Sequence, residues 1–366
     1  MNKYGGATGG VLKETQYYFH TERKPHLGVM KAARVLSVAS EYVQIPVKQQ
    51  HDEPVKKLLN ALRGEVDAKD PRFVKRHPAI IKAHALLLAQ ASRKTHEVSE
   101  TLRPDLKQVM KLFPTLFAEA VNVFLAPVNQ TGYAYAKPVL SLLEFSQCVT
   151  QAVAPSTRRD DGSADAGKDN AVSLLQLPHV DEKTAGLLAK KGGVRSIGDL
   201  AQVPGPHKRA EALLAAGLSK MQVADVEAHL VFVPRADILE GTIETDGEQM
   251  IVEQDVVTCT LNVKISRGGA GAEVFAIAEN ELTSSAGEKP KEKPARLPLV
   301  GGAVVRSAAD LPPLPFCEHC DREEGWWIAI VDHAANFILS HRKLDAKGTA
   351  LCVSQILTHC LPIVRP

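Results

Sequence analysis

The centre of the chain is a strongly punctuated segment, which reads SLLQLPHVDEKTAGLLAKKGGVRSIGDLAQVP over residues 173–204. Asp181 stands where its carboxylate can cap a helix, and Gly192 stands where that helix can stop in a left-handed conformation. Ser196 and Asp199 repeat the capping pattern. The segment therefore predicts two short helices joined by a glycine turn, which is an αα-hairpin.

Hairpins of this kind can bind phosphate, because a glycine-rich turn lets backbone N–H groups approach it closely. Here the turn before the first helix is His179-Val180-Asp181, which lacks glycine and carries a carboxylate that repels phosphate. The pattern favours a packing module over a phosphate site. His179 by itself is more typical of a capped or buried histidine than of a metal ligand or a general base.

Composition sets the broad class of the protein. A length of 366 residues predicts two or three domains, and an apolar fraction of 45% is enough for buried cores. The net charge of +2 does not favour a nucleic-acid-binding surface, so no specific nucleic acid partner is expected. The six cysteines lack disulfide spacing, which favours a reducing compartment. No stretch stays apolar for the roughly 18–20 residues that span a bilayer, so a soluble chain is expected.

The first part of the chain is dominated by helical periodicity. Residues 1–26 are mixed and partly glycine-rich, which favours a flexible lead-in. Residues 27–154 repeat apolar positions at helical spacing and carry proline at helix starts, which predicts one all-helical bundle. The segment Ala79–Gln90 is apolar on nearly every side and is predicted to lie in the middle of that bundle. After Pro114 the pattern fits either a continued helix or a new one.

Beyond the helical bundle the chain changes character. Residues 155–170 lack large apolar side chains, which predicts a linker to a helix-hairpin module at 171–229. Residues 230–344 are predicted to form a β domain. Its clearest strand covers 257–265, where apolar and polar residues alternate, and a return strand is expected at 272–278.

Two features of the β domain concern disorder and metal binding. Residues 283–315 are rich in Pro, Lys, Glu and Gly, which predicts a disordered insertion. Cys317 and Cys320 form a lone Cys-x-x-Cys pair without further ligands at zinc-finger or zinc-ribbon spacing, so no metal is expected. The sequence contains no nucleophile elbow or phosphate-binding loop. We therefore expect no enzyme activity, no cofactor and no small-molecule substrate.

Several motifs together resemble the Sec63 family, whose members are subunits of the protein translocon of the endoplasmic reticulum. A related unit occurs at the C-terminus of some Ski2-like RNA helicases. The motifs follow the family's order within about residues 11–344. They are Ser37–Tyr42, Lys82–Leu88, Leu112–Pro114, Ala120–Val123, Leu174–His179 and Gly325–Trp327.

The resemblance implies both a fold and a role. The fold is multidomain α+β: an all-α helical bundle and a small hairpin module, then an incomplete immunoglobulin- or fibronectin-like β-sandwich. The role is a non-catalytic one, at the cytosolic face of the endoplasmic-reticulum membrane. There the chain would contact subunits of the translocation channel and support post-translational import, with the membrane reached only through segments absent from this sequence. The alternatives are an accessory module of a Ski2-like RNA helicase and a structural adaptor; the segment Gly9–Thr15 resembles the translocon branch.

The sequence departs from the family at both ends. Full-length members carry membrane helices and a J domain with a His-Pro-Asp tripeptide; His77-Pro78-Ala79 does not supply it, so no chaperone recruitment is expected from this chain. Residues 345–366 match no family segment and are predicted to be an atypical tail. The β-sandwich would then lack strands and keep an open edge. A fragment or a faulty gene model is therefore expected.

A candidate partner-binding site lies on the strand that begins with two tryptophans. Neighbouring residues of a strand point to opposite faces. The row of Trp326, Ile328 and Ile330 is uniformly large and is predicted to be core. The other row is predicted to meet a partner, together with two preceding acidic residues, although burial of both rows is an alternative. These candidate contact residues are Trp327, Ala329, Val331, Glu323 and Glu324.

Overall fold

The fold is known from a computed structural model, whose described residues divide between two compact units. The structure describes residues 10–66, 75–128, 132–157, 171–230, 234–245, 257–267, 326–344 and 350–357. Of these, the first unit holds the residues up to 172 together with 329–339. The second unit holds those from 173 to 267 together with 326–328 and 340–357.

The first unit is a helical bundle built around one almost completely buried helix. Its helices are α1 Lys13–Glu22, α2 Val29–Ser37, α3 Ser40–Val43, α4 Asp52–Ala61, α5 Pro78–Ala91, α6 Arg103–Leu125 and α7 Ala136–Gln151. Every side chain of α5 from Lys82 to Ala91 is buried. Because α2, α3, α4, α6 and α7 all pack against α5, the predicted central helix is confirmed.

The prediction of a flexible lead-in over residues 1–26 is wrong for α1. Phe19 of this helix is fully buried, and the helix packs against α6. The N–H of Leu12 and the hydroxyl of Thr15 donate to the carboxylate of Glu41 at 2.8 and 2.5 Å. A carboxylate at a helix N-terminus satisfies free N–H groups and interacts favourably with the helix dipole. Glu41 is 29 residues from Leu12, so the local sequence pattern does not reveal this cap.

A single helix, α6, runs through Pro114, which settles the choice that the sequence left open. Proline removes one N–H donor and frees the carbonyl four residues earlier, which usually kinks or ends a helix. Here Phe113 and Leu116, on either side of the proline, are buried and hold the helix in the bundle. Nearby, the Tyr42 hydroxyl donates to the Val109 carbonyl at 3.1 Å. Burial raises the pKa of Tyr42, so this phenol stays protonated.

The second unit begins with the predicted hairpin module. The helices of this module are α8 Ala171–Leu174, α9 Glu182–Gly192, α10 Ile197–Gln202, α11 Pro206–Ala215 and α12 Lys220–Leu230. The first two residues of α8 fall in the first unit. The helices of the module enclose a small apolar core. Its largest buried members are Leu174, Leu177, Val180, Leu188, Val194, Leu200, Leu213, Leu218, Val223, Val226 and Leu230.

The predicted caps of the module are confirmed, with one shift of position. The N–H of Thr184 donates to Asp181 Oδ1 at 2.7 Å, and Ser196 forms a reciprocal capping box with Asp199. The left-handed residue after α9 is Gly193, with φ 64°, so the prediction that Gly192 ends the helix is wrong by one position. The double glycine allows either stop, and α9 takes the later one.

The described strands form two three-stranded sheets. These strands are β1 Ala134–Tyr135, β2 Pro234–Thr245, β3 Val257–Arg267, β4 Trp326–Asp332, β5 Phe337–Leu344 and β6 Ala350–Leu357. One sheet has the order β1-β5-β4 and the other has the order β2-β3-β6. β2 and β3 pair in antiparallel fashion with a bulge at Leu239, where the register shifts. The predicted strand at 257–265 is thus confirmed.

The tail holds more regular structure than expected. Within 345–366, β6 pairs with β3 in antiparallel fashion, from Val257↔Leu357 to Lys264↔Ala350. The segment is rich in apolar and β-branched residues, which suits a strand. β3 therefore has β2 on one side and β6 on the other. The predicted return strand at 272–278 and the predicted insertion at 283–315 lie outside the described residues.

No helix among the described residues combines the length and apolar character that a membrane span requires.

Candidate partner-binding hairpin

The candidate site is the hairpin formed by β4 and β5, which are neighbours in their sheet. A hydrogen bond inside the turn stabilises it: the N–H of Ala335 donates to Asp332 Oδ1 at 2.9 Å. An aspartate that bonds its own backbone in this way favours a turn. The turn ends at Asn336, which has φ 58°. Asparagine is one of the few residues besides glycine that adopts this left-handed conformation readily.

Asn336 also attaches the hairpin to the helical bundle. Its backbone carbonyl accepts from the N–H of Ala136 at 2.9 Å, and its Oδ1 accepts from the N–H of Lys137 at 2.8 Å. Its Nδ2 donates to the Pro25 carbonyl at 2.8 Å. Ala136 and Lys137 are the first two residues of α7, whose own N-cap residue, Tyr135, makes no capping side-chain bond. Asn336 therefore supplies the cap of a helix 199 residues away in sequence.

Aromatic packing supports the same attachment. The Phe337 ring stacks on the Tyr135 ring, with centroids 5.7 Å apart and planes 14° apart. The Tyr133 ring lies 6.1 Å from Phe337. Ile338 pairs with Ala134 of β1 and is buried. The start of β5 is thus fixed to the bundle by hydrogen bonds, a β-ladder and stacked rings.

The structure places three of the five predicted contact residues on β4. Ala329 is exposed, whereas Trp327 and Val331 are half-buried. The Trp327 ring meets the His341 ring edge-on, with centroids 6.5 Å apart. Partial burial lowers the pKa of His341, which favours its neutral form beside the tryptophan. Glu323 and Glu324 lie outside the described residues.

The predicted difference between the two tryptophans is not seen in their burial. Trp326 was expected in the core and Trp327 outside it, yet both are half-buried. Ile328 and Ile330, on the row of Trp326, are also half-buried. The core assignment of that row is therefore wrong as stated. Both faces of β4 are partly covered, and Ala329 is the only residue of this strand that is exposed. Partner contact by the row of Trp327, Ala329 and Val331, here called the outer row, stays a prediction.

The polar residues of the family-like helical motif are directed inward. The ammonium group of Lys82 lies 2.6 Å from Asp105 Oδ2 and 2.7 Å from the Pro46 carbonyl oxygen, and its side chain is buried. His51 Nδ1 lies 3.6 Å from the same carboxylate oxygen. Burial lowers the pKa of His84 to about 4, although a hydrogen bond to the Ala33 backbone opposes the shift. The polar groups of this motif therefore make their contacts within the bundle.

The histidine of the Leu-Pro-His motif also makes an intramolecular contact. His179 has φ 62°, an unusual value for a residue with a side chain, and its Nε2 lies 2.7 Å from Asp225 Oδ2. Asp225 belongs to α12, so the pair ties the loop before α9 to the last helix of the module. This arrangement agrees with the packing role predicted for the module.

Among the described residues, no three His, Cys, Asp or Glu side chains are grouped closely enough to hold a metal ion. Cys317 and Cys320 lie outside the described part of the chain. The expected absence of zinc therefore stays a prediction.

Sequence reasoning did not identify Asn336. The sequence pattern had no means of assigning a partner to this asparagine. The available signal was local: an asparagine that follows an aspartate-initiated turn and precedes an aromatic residue can take a left-handed conformation. Its three bonding partners lie in other parts of the sequence, beyond the reach of any local pattern.

Comparison with known proteins agrees with the motifs. The chain is 28% identical over 370 residues to the DnaJ protein ERDJ2A of Arabidopsis thaliana, an alignment that covers 98% of this chain and 48% of the relative. It is 28% identical over 263 residues to the DnaJ protein ERDJ2B of the same plant, covering 70% of this chain and 38% of the relative. The human U5 small nuclear ribonucleoprotein 200 kDa helicase is 26% identical over 316 residues, covering 86% of this chain and 11% of the helicase. The chain thus spans less than half of the length of these relatives.

A family profile also matches nearly the whole chain. The profile of the Sec63 Brl domain matches residues 10–363. The match extends past the 11–344 indicated by the motifs and includes β6, so the expectation that the tail lies outside the family is wrong. The helical bundle, the hairpin module and the Trp-Trp strand all lie within the matched residues. The chain belongs to the Sec63 Brl-domain family.

Proposed function

We propose that this chain is a non-catalytic part of the protein translocation machinery of the endoplasmic reticulum. It would act at the cytosolic face of the membrane, contact subunits of the translocation channel and support post-translational protein import. The observation that carries the proposal is the family match over residues 10–363. The nearly complete alignment with a DnaJ protein, over 98% of this chain, supports it.

The geometry favours binding over catalysis. The charged and histidine side chains of the family motifs, such as Lys82 and His179, are used in contacts within the protein. By contrast, the β4–β5 hairpin is held firmly at its turn and presents Ala329 to solvent. A fixed strand with a solvent-facing residue suits a protein contact. We further propose that residues 230–344 form an immunoglobulin- or fibronectin-like β-sandwich, as the family resemblance implies.

A second candidate function is that of an accessory module in a Ski2-like RNA helicase. It is favoured by the 26% identity with the human U5 small nuclear ribonucleoprotein 200 kDa helicase over 86% of this chain. The translocation role is preferred because the alignment with the DnaJ protein takes in more of this chain, 98% against 86%. A structural adaptor without either role is the third possibility.

Affinity measurements separate these functions. The purified chain is immobilised and presented with the detergent-solubilised translocation channel, with a helicase core and with single-stranded RNA. We expect saturable binding to the channel at micromolar or lower concentration, and at most weak, salt-sensitive binding to RNA. Saturable binding to the helicase core without binding to the channel would overturn the proposal in favour of the second function.

A further inference from the structure

The further inference concerns Asn336, the residue at which the candidate hairpin meets the helical bundle. We propose that Asn336 is a positioning residue, which presents the outer row of β4 to the translocation channel. The inference rests on the proposed function, since the channel is the partner named there. It assigns a functional role to a side chain that lies outside the predicted contact set.

The first N–H groups of α7 need acceptors from outside the helix. The first four N–H groups of a helix have no acceptor within the helix. In α7 two of them, from Ala136 and Lys137, are satisfied by Asn336 at 2.9 and 2.8 Å. Because Tyr135, the N-cap residue of α7, makes no side-chain cap, the helix depends on the hairpin for these bonds. The attachment therefore satisfies the free N–H groups of α7 and at the same time holds the turn of the hairpin in place.

The side chain of Asn336 bonds to the bundle at two points. An asparagine amide offers an acceptor oxygen and a donor nitrogen. Asn336 uses the oxygen for the N–H of Lys137 and the nitrogen for the carbonyl of Pro25. These two partners lie at different points of the bundle sequence, before α2 and in α7. A side chain held at two points fixes the orientation of the turn as well as its position.

The turn is connected to the proposed contact surface through β5 and β4. Phe337 and Ile338 pair with Tyr135 and Ala134, so the register of β5 on the bundle is set immediately after Asn336. β4 is hydrogen-bonded to β5 and lies at the edge of its sheet among the described strands. Ala329 and Val331 therefore take their positions from the attachment at the turn.

A weaker attachment should lower the fraction of molecules whose hairpin is attached to the bundle, and so lower the apparent affinity for the channel. The loss of two ordinary hydrogen bonds lowers the equilibrium constant for attachment by about tenfold or more, and the attached fraction falls by at most that factor. The apparent affinity for a partner falls in proportion to the binding-competent fraction. We therefore expect Asn336→Gly to weaken channel binding by about three- to tenfold. Glycine tolerates a φ of 58°, so this variant removes the two side-chain bonds without straining the backbone.

The matched control is Asp332→Ala. It removes the bond from the Ala335 amide within the same turn and leaves the bonds of Asn336 to the bundle in place. Both variants are tested as the whole chain, with circular dichroism and thermal melting to show that the helices are folded at the assay temperature. Hydrogen exchange at the amide of Lys137 reports directly on the opening of the attachment.

The results decide between positioning and mere structural support. The proposal predicts faster exchange at Lys137 and three- to tenfold weaker channel binding for Asn336→Gly, with binding of Asp332→Ala within about twofold of the unchanged chain. Unchanged affinity of the Asn336 variant, or an equal loss in the Asp332 variant, would overturn the positioning role and leave the proposed function standing. Failure of the unchanged chain itself to bind the channel would instead refute the proposed function, and the inference with it.

Discussion

The stability of the helical bundle should depend on pH through His84. This side chain is 5% exposed, and burial lowers its pKa to about 4. In the unfolded chain it protonates near its ordinary pKa of about 6.5. Between these two values the unfolded state binds more protons, so the free energy of unfolding falls as the pH falls. The loss begins below about pH 7 and levels off below about pH 4.

The loss of unfolding free energy can be calculated from the shift in the pKa of His84. One pKa unit corresponds to about 1.4 kcal/mol, so the full shift is worth about 3 kcal/mol, of which about 2 kcal/mol is lost between pH 7 and pH 5. The test compares the unchanged chain with His84→Gln. Both are unfolded in urea at several pH values, and circular dichroism monitors the unfolding. The difference in unfolding free energy between the two proteins should shrink by about 2 kcal/mol from pH 7 to pH 5. The substitution His96→Gln, at an exposed position, controls for the loss of a histidine.

A difference that stays constant with pH would refute the reasoning. It would show that His84 reaches solvent, or finds a partner for its charged form, without unfolding of the bundle. The packing loss caused by glutamine shifts the whole curve and does not affect the conclusion, because only the change with pH is used.

Four further results are expected. Lys82→Ala should destabilise the bundle by about 3–5 kcal/mol in urea unfolding, because it leaves Asp105 largely buried without its cation. Trp326→Ala and Trp327→Ala should each cost about 2 kcal/mol in thermal melts, since both rings are half-buried. Only the Trp327 variant should weaken channel binding, so an equal loss from both would remove Trp327 from the contact set. Elemental analysis should find no stoichiometric zinc; one zinc per chain that is lost in Cys317→Ser would contradict this. RNA binding should be weak and decrease steeply with salt, and sequence-specific binding below micromolar concentration would contradict the translocation role.

Features encoded by neighbouring residues were predicted well. The caps at Asp181 and Ser196 depend on residues three positions away, and both are confirmed. The central helix, α5, is confirmed because its apolar character covers nearly all of its surface. The strand over 257–265 is confirmed because alternation is also a local property. The family itself could be recognised for the same reason, since its motifs are short and contiguous.

Features that depend on distant residues were missed. α1 looked like a lead-in because its capping carboxylate, Glu41, lies in α3. The attachment of the hairpin was invisible because Asn336 caps a helix that begins 200 residues earlier, at Ala136. The partial burial of both Trp326 and Trp327 was missed for the same reason, since alternation gives the two faces of a strand but not what covers each face. Such contacts require the tertiary structure.

Site-specific photo-crosslinking at Ala329 tests the central claim most directly. Ala329 is exposed on β4, so a benzoylphenylalanine at this position can be accommodated without repacking. The labelled chain is added to endoplasmic-reticulum membranes, irradiated and analysed for covalent adducts, with the same probe at the exposed Lys111 of α6 as a control. The proposed function predicts an adduct with a translocation-channel subunit from position 329 and little or none from position 111. No channel adduct from position 329, or equal adducts from both positions, would contradict it.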